Sequence, residues 1–403
     1  MKTHLSTQNR FINDVESYSA HNYNPLPVVL SQAEGVWVWD TDGAKYLDCL
    51  AAYSAVNQGH RHPRIIQALK NQADRITLSS RAFHNDQMGH FLKLLCQTCE
   101  MEQALPMNSG AEAVETAIKL ARKWGYQKKG VTPDQAEILV CTNNFHGRTT
   151  TIISFSTEAQ YREGFGPFTP GFRIIPYGNA EALEKAITPN TVAFLYEPIQ
   201  GEAGVIVPPA GYLNAVTEIC KKHQLLSMAD EIQTGLGRTG KLFCYEHESE
   251  AKPDVLILGK ALGGGVVPVS AILATKEVMG VFRPGDHGST FGGNPLAAAV
   301  GTASLEVILE EKLAEKSALM GAYLREELAK IRSPKIQNIR GKGLMVGVEI
   351  KTSFGNVRPL CEKLAALGVL VKDTHEQVIR ITPPLVVQKP EVNFLIQQLK
   401  KIL

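Results

Sequence analysis

Net charge is nearly absent from this chain. Its 403 residues carry 42 Lys and Arg against 40 Asp and Glu, a formal balance of +2. Nucleic acid or an anionic membrane surface selects a strongly basic face, so neither is expected as the main partner. Long apolar runs are missing too, and none approaches the ~20 residues of a spanning helix. The opening Met1-Lys-Thr-His-Leu-Ser-Thr-Gln-Asn-Arg10 lacks the apolar centre of a signal peptide. It also lacks the arginine-rich amphipathic pattern of a transit peptide. Cysteine is scarce: seven, an odd number, scattered through a long chain. That excludes a disulfide-stapled scaffold and fits reduced thiols and a cytoplasmic location. The one C-x-x-C, Cys96-Gln-Thr-Cys99, has no second pair or histidine cluster to complete a zinc site. It lies in a helical-looking stretch and reads as small apolar packing rather than a redox pair. What is present, 44% apolar and 20% charged residues, is an ordinary globular composition able to bury more than one core.

Alternation of strand and helix patterns organises the middle of the chain. Gly35–Asp40 and Lys45–Asp48 flank the turn Thr41-Asp42-Gly43 and predict a hairpin. Strand-like runs follow at Ile138–Cys141, Ile152–Ser156, Val192–Tyr196, Leu225–Ala229, Val255–Leu258 and Val269–Ala274. Val114, Ala117, Ile118, Ala121 and Trp124 recur at helical spacing and predict a helix over Ala111–Gln127. A second helix, Tyr212–His223, separates two of the strands. Such alternation predicts an α/β domain with a mostly parallel sheet covered on both faces. From about residue 296 a long helix runs through Leu328, followed by strands at Gly343–Ile350, Val369–Lys372 and Val378–Ile381 and a closing helix Glu391–Ile402. The expected organisation is therefore an N-terminal segment over 1–50 that packs with a small domain, a large domain over 51–295 and a small α+β domain over 296–403.

Chemistry concentrates at two places. Asp254-Val-Leu-Ile-Leu-Gly259-Lys260 reads as a buried strand that breaks into a glycine-rich turn at a lysine, and Leu225-Leu-Ser-Met-Ala-Asp230 as a second that ends in a carboxylate. Parallel strands bring such an amine and acid to one sheet edge, where open α/β sheets bind ligands. An amine there forms a Schiff base and a carboxylate holds a ring nitrogen protonated, which points to pyridoxal 5'-phosphate. Asn108-Ser109-Gly110-Ala111 opens the Ala111 helix, where free N–H groups suit a phosphate as well as a cap. Gly235-Leu-Gly237-Arg-Thr-Gly240 matches a dinucleotide fingerprint in letters only, because an extended-looking Lys241–Tyr245 follows where a helix is required. Gly259-Lys260 likewise fails as a P-loop, with Asp254 and Ala261 at positions that need Gly and Ser or Thr. His60-Arg-His62-Pro63 reads as a loop entering a helix, not a metal site. His287 sits in a glycine-rich loop suited to a phosphate or a turn.

With these residues in view, the chain resembles the class III pyridoxal 5'-phosphate-dependent aminotransferases from about Tyr18 to its end. The likeness rests on His21–Pro27, Tyr53–His60, Phe145-His-Gly-Arg148-Thr, Glu197-Pro-Ile-Gln-Gly-Glu202-Ala-Gly, Ala229–Gly235, Leu258-Gly-Lys260-Ala-Leu, His287–Asn294 and Arg380 near Pro383-Pro384. It implies fold type I, with a seven-stranded type of sheet in the large domain. It implies that Lys260 carries the cofactor covalently, Asp230 pairs with the pyridine N–H and Gln233 bonds the phenolic oxygen. Phe145 and Ile232 would flank the ring, and Ser109, Gly110 and Ala111 would hold the phosphate. Thr290, with Ser289, would reach the phosphate of a partner subunit, making a homodimer with shared active sites. Arg148 would hold the α-carboxylate of ornithine, Tyr23 and Tyr53 would line the pocket, and Glu202 and Arg380 would pair. The activity implied is transfer of the δ-amino group of ornithine to 2-oxoglutarate. The alternatives are N-acetylornithine or 4-aminobutyrate as donor, or an aminomutase. His146 stands where ornithine-using members often place a larger aromatic. No metal is implied.

Overall fold

The runs Thr191–Tyr196 and Val255–Leu258 are buried at every position, as strands covered on both faces must be. The structure, a computed structural model, describes residues 7–403; the first six residues of the opening stretch lie outside it. Both runs lie inside a seven-stranded sheet ordered Gln103–Met107, Ser270–Ala274, Val255–Leu258, Leu226–Asp230, Thr191–Tyr196, Glu137–Cys141, Phe172–Ile175. All neighbours are parallel except Ser270–Ala274, which is antiparallel to both of its neighbours. Alternate side chains enter opposite cores: Phe194 and Leu256 one, Leu195 and Ile257 the other. Helix Gly110–Trp124 covers the second face with Val114, Ala117, Ile118 and Ala121.

Three sequence expectations fail, each for a local reason. Ile152–Ser156 is not a strand. Thr149 caps the helical turn Thr150–Ile153 by accepting the Ile152 N–H at 3.2 Å, and the cap outweighs the β-branched run. The long helix after 296 is two, Pro295–Glu310 and Leu313–Ala329, broken where Lys312 takes a left-handed φ of 53°. Lys241–Tyr245 is not extended: Phe243 is buried and Cys244–His247 forms a 3₁₀ turn whose Tyr245 N–H donates to Glu231 at 2.8 Å. The edge strands Gln103–Met107 and Phe172–Ile175, and Ile336–Lys342, gave no clear sequence signal.

Outside the large sheet, Leu30–Glu34, Trp37–Asp40 and Lys45–Asp48 join Val369–Leu370 in one sheet, so residues from both ends of the chain share hydrogen bonds. A separate antiparallel sheet runs Ile336–Lys342, Met345–Ile350, Val378–Ile381, Lys372–Thr374. Arg238 ties this sheet to the large one. Its fully buried guanidinium donates to Leu344 O at 3.0 Å, Pro383 O at 2.6 Å and Asn57 Oδ1 at 2.5 Å. Asn57 in turn donates to Leu236 O at 2.9 Å and accepts the Leu385 N–H at 2.8 Å. Burial without a carboxylate partner pushes Arg238 down to about 9. No helix among the described residues is long and apolar enough to cross a membrane.

Gly321 lets helix Leu313–Ala329 lie directly on the Gly343 backbone, with no room for a methyl group. Gly321→Ala should therefore lower stability by about 1–3 kcal/mol although alanine favours helices. Gly89→Ala, on an open helix surface, should raise it by up to about 1 kcal/mol. Urea unfolding of both variants checks the sign; a gain at Gly321 would contradict the close contact.

Candidate active site

Four parallel strands end at the same edge, and the residues that leave them converge. Asp230 closes Leu226–Asp230, Lys260 follows Val255–Leu258, Glu197 follows Thr191–Tyr196, and Phe145 and His146 lie just beyond Glu137–Cys141. One cavity is lined by Gly110, Ala111, Phe145, His146, Glu197, Glu202, Asp230, Ile232, Gln233 and Lys260. The carboxyl edge of an open α/β sheet is where a ligand is expected. A larger surface cavity lies elsewhere, beside Leu92, Cys96 and Phe282. It is lined by none of the candidate residues, so the chemistry selects the smaller one.

Lys260 has a left-handed φ of 43° and follows Gly259 into a short 3₁₀ turn. Burial lowers its amine, Glu202 opposes and Arg380 adds, leaving it below the ordinary lysine range. A larger fraction is then the neutral nucleophile. Asp230 accepts from the Ile232 N–H at 3.1 Å through one oxygen and contacts His146 Nδ1 at 2.7 Å through the other. Burial alone would depress His146; the hydrogen bond and charge of Asp230, with Glu197, outweigh it and hold the imidazole above its ordinary value. His146 is fully buried and its Nε2 has no partner among the described residues. Burial pushes Glu197 up to about 8, with His146 opposing and Asp230 adding, while its carboxyl accepts the Phe145 N–H at 2.9 Å. Glu197 is thereby biased toward its neutral form.

Ser109 caps helix Gly110–Trp124 in a reciprocal box with Glu112, at 3.2 Å and 2.6 Å. The first-turn amides of Gly110 and Ala111 have no helical acceptor and suit an anion. A methyl on Gly110 would sit 3.0 Å from Ile232 Cδ1, so only glycine leaves this corner open.

Arg380 is buried and donates to Glu202 Oε1 at 2.6 Å. The same oxygen accepts from Gln233 Nε2 at 3.2 Å. Burial would raise Glu202, but the charges of Arg380 and Lys260 and these hydrogen bonds hold it down at about 2. Tyr53 lies 5.2 Å under the Arg380 guanidinium. Its segment Ala51–Ser54 is a left-handed turn, with φ between 46° and 72°. Such backbone costs about 1–2 kcal/mol per residue. Asp48 offsets this by accepting the Leu50 and Ala51 N–H groups, both at 2.9 Å.

Other candidate residues stand apart. Ser289 bonds Asn108 at 2.9 Å, Thr290 is exposed, and neither lines the cavity. Tyr23 is exposed, on a segment gripped by Arg358 through Asn24 O and Pro25 O. Arg148 is exposed and does not line the cavity, although its guanidinium carbon lies 5.5 Å from the ring centroid of Phe145, which does. His60 and His62 pair separately with Asp48 and Glu311, at 2.7 Å and 2.8 Å. No metal-holding cluster exists among the described residues, and His287 bonds Thr116 and Lys119. Sequence reasoning passed over Glu197 and Tyr161. The first was readable as the acid that ends a buried strand; the second carries no local signal.

The chain matches the family described as Aminotransferase class-III over residues 18–403. It is 57% identical to an ornithine aminotransferase of Brevibacillus brevis over 99% of both chains. Among solved structures it is similar to the ornithine aminotransferase from Toxoplasma gondii, reported with partial occupancy of PLP at its active site. The TM-score there is 0.97 with 45% identity, over 99% of this chain and 94% of that one. An acetylornithine aminotransferase from Elizabethkingia anophelis gives 0.89 and 46%, over 98% of each chain.

The His146–Asp230 contact has a pH signature. An imidazole raised in the folded state stabilises fully below its unfolded value near 6.5. That stability is lost as pH rises through the folded value. Urea unfolding at pH 6 and pH 9 should show a larger loss in the native protein than in His146→Asn. Parallel losses would mean the pair is not charged.

Proposed function

The chain belongs to the class-III aminotransferases, and from that premise we propose that it moves the δ-amino group of L-ornithine to 2-oxoglutarate. The products are glutamate 5-semialdehyde, which cyclises to pyrroline-5-carboxylate, and glutamate. The observation that carries this assignment is the Glu202–Arg380 pair at 2.6 Å beside Lys260. Relatives named for ornithine, at 57% identity, favour it over N-acetylornithine or 4-aminobutyrate. A second arginine suits a dicarboxylate acceptor, which an aminomutase does not need.

The residues fit pyridoxal 5'-phosphate. Gly110 leaves a corner that a Cβ would fill, beside two free amides for a phosphate. Phe145 and Ile232 line the same cavity as places for a flat ring, and Lys260 and Asp230 supply an amine and a fixed carboxylate. When bound, the cofactor supplies the electron sink that lets an amino group leave one carbon skeleton for another. Lys260 would hold the cofactor covalently, and its Nζ would supply the amine that moves a proton. Asp230, held by His146 and the Ile232 N–H, keeps a proton on a ring nitrogen. Gln233 serves the phenolic oxygen when it turns from Glu202, and Tyr53 and Tyr23 border the substrate.

Ornithine has two amines, and only the δ-amine is to react. Arg148 takes its α-carboxylate. A bare Arg380 would attract that carboxylate instead and present the α-amine, so Glu202 neutralises it. With 2-oxoglutarate, Glu202 releases Arg380 to the incoming carboxylate. A buried pair close to energetic break-even is able to open in this way. Glu202→Ala should shift reaction of ornithine toward the α-amine and make glutamate a better donor, by about tenfold or more. Half-reaction kinetics with product identification check this; unchanged δ-selectivity and glutamate reactivity would leave only a static bridge.

A homodimer with shared sites completes the proposal. Thr290 is exposed, on a loop fastened to the phosphate helix by the Asn108–Ser289 and Thr116–His287 bonds. This supports Thr290, beside Ser289, as a donor to the phosphate held by a second copy. Mixing inactive Lys260→Ala with an inactive Thr290 variant should restore activity, because one of the two mixed sites escapes both defects. No recovery after verified subunit exchange would exclude sharing.

A further inference from the structure

Two arginines serve this site, and they are held by different means. Arg380 is buried and its fork is occupied by Glu202. Arg148 is exposed and forms no ion pair among the described residues. Its guanidinium carbon lies 3.5 Å from the centroid of the Tyr161 ring and 5.5 Å from that of Phe145. The two rings meet edge to face, 6.1 Å apart at 76°. Tyr161 is half-buried on the single helical turn Ala159–Arg162.

We propose that Tyr161 is a positioning residue for substrate binding: its ring face holds the Arg148 guanidinium while no carboxylate occupies the fork, which is left to a substrate carboxylate. The physical reason lies in how each partner grips a guanidinium. A carboxylate binds the edge, where the donors point, and must be displaced before substrate enters. An aromatic face binds the plane and competes for no donor. The side chain is thereby ordered before substrate arrives, which removes part of the cost of ordering it on binding. Edge contact with Phe145 joins this brace to the wall of the cofactor cavity, fixing where the fork stands relative to Lys260. The two arginines then differ for a purpose: the one used in both half-reactions is held without an acid, and the one used in a single half-reaction is masked by one.

This inference rests on the assignment of Arg148 as the carboxylate site. The test is single-turnover kinetics of the holoenzyme with L-ornithine and with 2-oxoglutarate, for Tyr161→Leu, Tyr161→Phe, Arg148→Met and the Leu/Met double variant. Tyr161→Leu should weaken apparent affinity for both substrates about tenfold. Its limiting rate should stay within about threefold and its bound-cofactor absorbance should be unchanged. Tyr161→Phe keeps the ring face and should behave like the native enzyme. In the Arg148→Met background, Tyr161→Leu should add no further loss. Unchanged affinity in Tyr161→Leu, or the same loss with and without Arg148, would overturn the role of Tyr161. Native-like affinity in Arg148→Met would instead overturn the assignment of Arg148, and this inference with it.

Discussion

A buried cation must have a partner, and at Arg380 that requirement shapes the site. Its strand, Val378–Ile381, belongs to the small antiparallel sheet, while Glu202 sits on the loop that leaves the central strand Thr191–Tyr196. The 2.6 Å contact therefore joins two sheets across the cavity that contains Lys260. Removing one member of such a pair is costly, whereas opening it toward another carboxylate is not. In the proposed reaction, the device that excludes the wrong amine is also the one that admits the second substrate.

Around this pair the structure fixes backbone firmly. The left-handed turn Ala51–Ser54 is held by Asp48, by Thr382 donating to Leu50 O at 3.1 Å, and by the Asn57–Arg238 network just beyond it. Arg238 reaches Pro383 O, three residues from Arg380, so one buried side chain braces both the Tyr53 segment and the Arg380 strand. Strain kept at a site by surrounding contacts is a common way to hold groups in a working geometry.

His146 illustrates how burial and charge decide protonation together. Alone in this interior it would be neutral. Beside Asp230 its pKa is raised instead, and the two oxygens of Asp230 meet His146 Nδ1 and the Ile232 N–H. Glu197, equally buried and without an opposite charge in direct contact, goes the other way and stays neutral. The two acids of one edge thus differ in surroundings: Asp230 contacts an imidazole and a backbone N–H, Glu197 a backbone N–H.

The sequence by itself determined the covalent and local part of the site. Buried strands that end in Asp230 and in Gly259-Lys260, and the Ser109 cap before an amphipathic helix, were legible because strand ends and helix starts are short-range features. The alternating strands and helices likewise announced the parallel sheet. Local pattern misled at Ile152–Ser156, where a threonine cap turns β-branched residues into a helical turn, and at Lys312, where one left-handed residue splits a helix. Only the tertiary structure decided that His146 meets Asp230 and that Tyr161 lies over Arg148, since both depend on chain segments brought together by the packing of the sheet edge. It also separated Ser289 and Thr290 from the cavity of their own chain. Charge state belongs to the same category, because the rise at Glu197 depends on solvent exclusion and on neighbours distant in sequence.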